Sequence, residues 1–227
     1  MKKNLTVIFV LAVSSCFSQQ IVQKKIIPQL KTLLENKKTD IRSLLDIDGY
    51  YQIKVSFFDK SESTSDYNIM FFDDGTFTSN FGFKENLTEN QIKPNMSRAV
   101  RRWDVEGKNK WKGYWGGYWG TYRIEGDTII GQFLREGTWI TEWIFYEERY
   151  KVINRITFEI ICIKSLLKDN PYKKDPCDLM FNFSLARFVP ADSLPSSDCW
   201  LKEEKWIWRN ESDWRDYMEK IKQKKKK

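Results

Sequence analysis

A chain of 227 residues that is 41% hydrophobic and 15% aromatic can bury one sizeable core and is too apolar for a disordered class. It contains no histidine, which excludes Ser-His and Cys-His nucleophile pairs and any His-ligated zinc site. The formal charge of +7 sits at the two ends: Lys2, Lys3 and the six lysines from Lys220 onward account for eight of the 38 basic residues, and the other 30 face 31 acids. A basic nucleic-acid-binding face is therefore not expected. The terminal lysine run reads as a solvated helix end, or as a contact for anionic headgroups.

Residues 1–18 have the layout of an export signal, with Lys2 and Lys3 ahead of an apolar run over 5–13. That run is too short to span a bilayer, which takes about 20 residues. Val13-Ser14-Ser15-Cys16 resembles a bacterial lipobox, which would end the signal at residue 15 and leave Cys16 lipidated and membrane-anchored. Cys16-Phe17-Ser18 reads equally as an ordinary cleavage site. Either way the expected location is outside the cytoplasm, in the periplasm or on the outer membrane of a Gram-negative-type bacterium.

Residues 19–48 are expected to form a helical lead-in. Ile26, Ile27, Leu30, Leu33 and Leu34 fall at helical spacing, and Ile41, Leu44 and Leu45 follow a Thr39 or Asp40 cap. From residue 49 the period changes to two. Tyr51, Ile53, Val55 and Phe57 alternate with polar residues, and Asp74-Gly75 joins two apolar runs as a hairpin turn. Residues 84–110 break the rhythm as a polar insertion containing Pro94, Arg98, Arg101 and Arg102, either a lid over one barrel mouth or a loop.

The centre of the chain is Gly113-Tyr114-Trp115-Gly116 followed at once by Gly117-Tyr118-Trp119-Gly120. Four glycines would each cost a helix about 1 kcal/mol, so the stretch reads as a strand, with Trp111, Trp115 and Trp119 on one face. The aromatic face is either a ligand platform or plain core. Glu125-Gly126-Asp127 then turns the chain into a hairpin. Trp139, Thr141, Trp143, Phe145 and Glu147 share one face of the next strand. Ile156, Phe158, Ile160 and Cys162 share a face of the following one, with Cys162 read as a small buried hydrophobe. Leu179, Phe181, Phe183 and Leu185 mark the last strand. Residues 190–227 form an extension: a Trp200, Trp206, Trp208 cluster, then a helix capped by Asn210 with apolar Trp214, Tyr217, Met218 and Ile221, expected to close one barrel end.

The expected fold is mainly β: an antiparallel up-and-down barrel of about eight strands over residues 49–189, with a helical lead-in and a C-terminal amphipathic helix. In an oxidising envelope Cys177 and Cys199 are a candidate disulfide, closing a loop worth about 3 kcal/mol.

Gly49-Tyr50-Tyr51 opening the first strand, Phe72-Asp73-Asp74-Gly75-Thr76, and the run from Trp119 through Gly120-Thr121-Tyr122-Arg123-Ile124-Glu125-Gly126-Asp127-Thr128 to Ile129 resemble the lipocalin-like small barrels of exported bacterial proteins. The resemblance covers roughly residues 49–188. It implies a noncatalytic pocket for an apolar or amphipathic molecule, with no cofactor or metal. The expected walls are Trp115, Trp119, Trp139, Trp143 and Phe145, with Arg123 or Arg155 near a mouth. The alternatives are a Trp-rich protein-interaction module and a carboxylate-dependent glycan-active enzyme using acids among Glu142, Glu147 and Glu148.

Overall fold

The structure, a computed structural model, describes residues 30–57, 64–79, 98–103, 109–114, 118–135, 144–166, 177, 181–191, 194 and 196–224. The signal segment, Cys16, Trp115, Trp139, Glu142 and Trp143 lie outside the described residues.

The alternating pattern produces strands β1 (Gly49–Phe57), β2 (Thr64–Phe71), β3 (Thr76–Ser79), β4 (Arg98–Trp103), β5 (Asn109–Tyr114), β6 (Tyr118–Glu125), β7 (Thr128–Arg135), β8 (Ile144–Asn154), β9 (Thr157–Ser165), β10 (Phe181–Phe183) and β11 (Ala186–Pro190). All pairings between them are antiparallel, in the order β2, β3, β6, β7, β8, β9, β11, β1, and β1 pairs back onto β2 to close the ring. β10 continues the β11 stave along β1. The break between them is stitched by Ser184, whose N–H donates to the Lys54 carbonyl and whose Oγ accepts from the Lys54 N–H, each at 2.9 Å. The result is the eight-staved closed barrel expected from the sequence. Part of the polar insertion forms the β4–β5 hairpin, a separate two-stranded sheet. The doubled Gly-Tyr-Trp-Gly stretch is accordingly split: Gly113-Tyr114 of the first copy ends β5, and Tyr118-Trp119-Gly120 of the second opens β6.

Pairing register sorts the side chains. Ile129, Gly131 and Phe133 of β7 oppose Tyr150, Glu148 and Tyr146 of β8, and Phe77 of β3 opposes Gly120 of β6. These residues face the lumen together with Tyr51, Ile53, Ile69, Phe71, Tyr122, Phe158 and Ile160. The two inward glycines are steric necessities. A Cβ at Gly131 would lie 2.8 Å from Phe77 Cζ, and one at Gly120 2.5 Å from Phe77 Cε1. The β6–β7 hairpin turns on Gly126, whose φ of +61° is the left-handed conformation that primed two-residue turns require.

One end of the barrel is plugged from the N-terminal side. α1 (Ile41–Leu44) is a single turn, and Ile41, Leu45 and Ile47 bury into the lumen core. Asp40 occupies its N-cap position without a side-chain cap bond. Residues 30–40 are not helical, contrary to their leucine spacing. They run as an extended strap over the outer wall, where Leu34 forms a parallel bridge with Trp208: the Leu34 N–H donates to the Ile207 carbonyl at 2.8 Å and the Arg209 N–H to the Leu34 carbonyl at 2.9 Å. Backbone pairing with the C-terminal segment satisfies this strap better than a short isolated helix could.

A second core therefore lies outside the barrel. Tyr50, Met70, Phe72, Trp119, Leu134 and Phe145 project from the outer faces of the staves and are covered by Leu34, Cys199, Leu201 and Ile207. Trp200, Trp206 and Trp208 pack against this layer. The buried Lys202 pairs with Asp74 in the β2–β3 turn and donates to Ser197 Oγ at 2.8 Å. α2 (Glu211–Lys224) carries its acids in the first turn and lysines in the last, with Asn210 donating to Asp213 at 3.1 Å. Its apolar stripe docks on the tryptophan segment, through Trp208–Tyr217 ring contact at 5.4 Å and a Trp214 Nε1 bond to the Glu203 carbonyl. It packs on the outer wall instead of closing a barrel end as expected, because its apolar stripe is taken up by the tryptophan segment.

The cysteine pairing also differs from expectation. Cys162 and Cys177 form the disulfide, and Cys199 is free and buried. A β-bulge is the cause: Arg149 opposes Cys162 while Tyr150 opposes Ile160, so Ile161 is the extra residue and Cys162 turns from the lumen face to the outside. Burial pushes the Cys199 thiol up to about 12, which leaves it inert at neutral pH.

Two outcomes follow from this packing. Gly131→Ala should destabilise the protein by about 1–3 kcal/mol through overpacking against Phe77, read as a lower urea midpoint with unchanged slope. Non-reducing peptide mapping should link Cys162 to Cys177 and leave Cys199 alkylatable only after unfolding, and reduction should cost about 3 kcal/mol for this loop length.

Candidate functional site

The strand that crosses the chemistry is β8. Its inward positions are Tyr146, Glu148, Tyr150 and Val152, and its outward ones Phe145, Glu147, Arg149 and Lys151. Glu147 and Glu148 thus diverge, as adjacent strand residues must. Outside, burial raises Glu147, but Lys164 at 2.9 Å, Arg149 at 3.1 Å and Gln132 at 3.0 Å hold it below the usual carboxylate range. That cluster ties the wall to the strap, since Gln132 Oε1 also accepts from the Lys31 N–H and the Thr32 hydroxyl.

Glu148 has a different environment. It is 2% exposed and its partners among the described residues are two phenols: Tyr67 OH donates to Oε1 at 3.1 Å, and Tyr150 OH donates to Oε2. Tyr67 is on β2, four staves from β8 in either direction round the ring. The Tyr67–Glu148 bond therefore spans the lumen at its waist. Gly131, directly opposite Glu148 on β7, keeps that level free of a side chain.

The waist divides the lumen into unlike halves. On the α1 side, Tyr51, Phe71, Phe77, Tyr150 and Phe158 are all fully buried and in mutual ring contact, with centroids 4.8–6.4 Å apart. Arg155 closes this end: its guanidinium binds Asp46 and the Arg42 carbonyl, and its own carbonyl accepts from Tyr51 OH at 2.8 Å. On the other side the inward residues Tyr67, Tyr118, Tyr146, Ile163 and Phe183 stay half-buried. Tyr118, Phe133 and Tyr146 stack as a slab across β6, β7 and β8, at 5.8 and 5.4 Å with interplanar angles of 21° and 19°. The Ser79 hydroxyl, on β3, is buried beside the Tyr67 phenol, and the Ser165 hydroxyl, on β9, is buried without a hydrogen-bond partner among the described residues.

Of the five expected pocket walls, the structure describes two, and it places both outside the lumen. Trp119 and Phe145 face outward into the second core, with Trp119 stacked on Phe72 at 5.7 Å. Arg123 is also on the outer face and pairs with Glu125 at 2.8 Å, and Arg155 clamps the plugged end. The structure brings none of these four into the lumen. The inward residues of β8 were legible in one respect: the face holding Glu147, Arg149 and Lys151 is the wetter one, so Tyr146, Glu148 and Tyr150 belong inside. Tyr67 carries no comparable signal, because only barrel closure brings β2 opposite β8.

Two shallow concavities lie on the outer wall. A groove of about 460 Å³ runs between the strap and α2, and one of about 350 Å³ lies between the strap and the β6–β7 hairpin. Among the described residues no cluster of three or more metal-ligating side chains occurs, and no helix is long and apolar enough to cross a membrane.

Burial raises Glu148 to about 7, with the Tyr150 and Tyr67 bonds offsetting part of the cost. The folded protein thus holds this proton more tightly than the unfolded chain, whose carboxyl titrates near 4.5. Stability from this group is complete below pH 4.5 and is lost as pH rises to about 7, by about 3 kcal/mol in all. Glu148→Gln keeps an acceptor for both phenols and carries no proton, so urea titrations across this window should show the decline in wild type and not in the variant. Equal slopes in both proteins would mean that Glu148 does not set it.

No protein-family model, curated protein or solved structure matches this chain.

Proposed function

We propose that this chain is a noncatalytic binding protein of the bacterial envelope that takes a small amphipathic molecule into the open half of its barrel. The observation that carries the reading is the asymmetry of the lumen. One half is packed solid, and the other presents half-buried aromatic side chains beside a buried carboxyl and the buried Ser165 hydroxyl, which has no partner among the described residues. Buried polar groups are normally satisfied, and orphaned ones at an accessible aromatic surface are what a ligand's polar atoms complete. The lipocalin-like run of strands and turns supports the same assignment, as does the export-type layout of residues 1–18, with Cys16 as the anchor if it is lipidated.

The other two readings have less support. The C-terminal tryptophans are used in cis, packed over the barrel's outer face. Glu147 and Glu148 sit on opposite sides of the wall, so they do not form the convergent acid pair that glycoside hydrolysis needs.

The test is titration with N-phenyl-1-naphthylamine, a neutral dye that brightens in apolar sites. Saturable one-to-one binding is expected, and Ser165→Trp, which fills the open half, should abolish it while circular dichroism stays unchanged. If Ser165→Trp does not fold, dye-induced shifts of the Tyr118 and Tyr146 ring resonances in wild type serve instead. Absence of saturable binding, or shifts confined to outer-wall residues, would overturn the reading.

A further inference from the structure

The outer-wall grooves contain charges that already match one another. Lys202 meets Asp74, Lys224 meets Asp198, and Lys37 and Arg209 both meet Glu35. Glu148 is the contrast. Among the described residues it is a buried acid whose partners are phenols alone, while Glu147 next to it has two cations. Both phenols donate, so among the described residues the carboxyl is left as an acceptor with no countercharge, next to the half-buried aromatic side chains of this half of the lumen.

Resting on the binding reading above, we propose that the open half of the lumen is a site for an organic monocation, an ammonium group carried on a small apolar or aromatic body, with Glu148 as its counter-ion. An ionised carboxylate in such surroundings is costly unless paired, and a ligand cation supplies the pair. The walls favour the same charge. Tyr118, Phe133 and Tyr146 stack with Phe133 between the two tyrosines, so the faces left to a cation are the outer ones of Tyr118 and Tyr146, and a negative ring face attracts ammonium within about 6 Å. Tyr146 is two residues from Glu148 on the same strand, about 7 Å along the barrel wall. A cation seated beside the carboxylate therefore has the slab next to it. The Ser165 hydroxyl can accept from an ammonium N–H group or bind a second polar group of the ligand. Among the described residues an anionic ligand meets the Glu148 charge and donor-poor aromatic walls, so the site discriminates by sign.

The groups facing Glu148 are Tyr67 from β2 and Tyr150 from its own strand. Burial pushes both phenols upward, out of the neutral range. Glu147, Arg149 and Lys164 lie on the outer side of the wall. Glu148 is thus the group that titrates at the site.

The experiment uses the full chain and two probes of one shape: phenethyltrimethylammonium, which is permanently charged, and (3,3-dimethylbutyl)benzene, its neutral carbon isostere. Calorimetry should show the cation binding about tenfold or more tighter than the isostere in wild type. Glu148→Gln should erase this preference while binding of the isostere persists. Should that variant fail to fold, wild type alone decides: affinity for the cation should rise about thirtyfold between about pH 5.5 and about pH 8 as Glu148 ionises, and affinity for the isostere should not. Equal affinity for the two probes, or a preference indifferent to both pH and Glu148→Gln, overturns the ammonium assignment and leaves the binding function standing. If neither probe nor the neutral dye binds folded protein, both fall together.

Discussion

Closure of the ring through β1 is the constraint on which every other feature depends. This strand pairs with β2 along one edge and with β10 and β11 along the other. Once both pairings are made, strand alternation leaves each side chain only two destinations, inside or outside. A cylinder of eight staves is just wide enough to be filled by side chains. Phenylalanine and tyrosine rings fill it on the α1 side, where Gly120 and Gly131 let Phe77 reach the middle.

The barrel is unusual in having two cores of comparable importance. The outer one exists because several staves are apolar on both faces, and the strap and the tryptophan segment keep that second face from water. Sheets apolar on both sides are normally covered on both sides. Here the covering comes from irregular chain held by a few directional contacts: the Leu34–Trp208 bridge, the Trp208 indole on the Lys202 carbonyl at 2.8 Å, and the buried Lys202–Asp74 pair. Burial of Thr32, Thr121, Gln132 and Glu147 beneath the strap is possible because they satisfy one another.

Much of this was readable from residue order. The period-two runs, the Asp74-Gly75 and Gly126-Asp127 turns and the absence of histidine were sufficient for a closed antiparallel barrel without His-based chemistry. Trp119 and Phe145 were assigned to the wrong face, because β6 and β8 place aromatics on both faces: Tyr118 and Tyr122 against Trp119, Tyr146 and Tyr150 against Phe145. Size favoured tryptophan for the pocket, yet the charges sharing a face with Phe145 mark that side as the outer wall. The leucines of residues 30–34 are spaced for a helix, but a segment that must lie along a barrel gains more from pairing its backbone with residues 207–209. The disulfide could not be derived from order alone, because a single extra residue at Ile161 reverses the direction of Cys162.

The Leu34–Trp208 bridge joins segments from near opposite ends of the described chain, and β1 waits for β11 to complete its second edge. Both contacts have large sequence separation, so the entropy of closing nearly the whole chain into a loop falls on the last steps of folding. A polypeptide emerging from the ribosome or threading through a narrow pore can form the β6–β9 meander early, but it stays an open, two-sided apolar sheet until its final residues arrive. Its period of greatest vulnerability to aggregation is therefore set by the time needed to deliver the C-terminal segment.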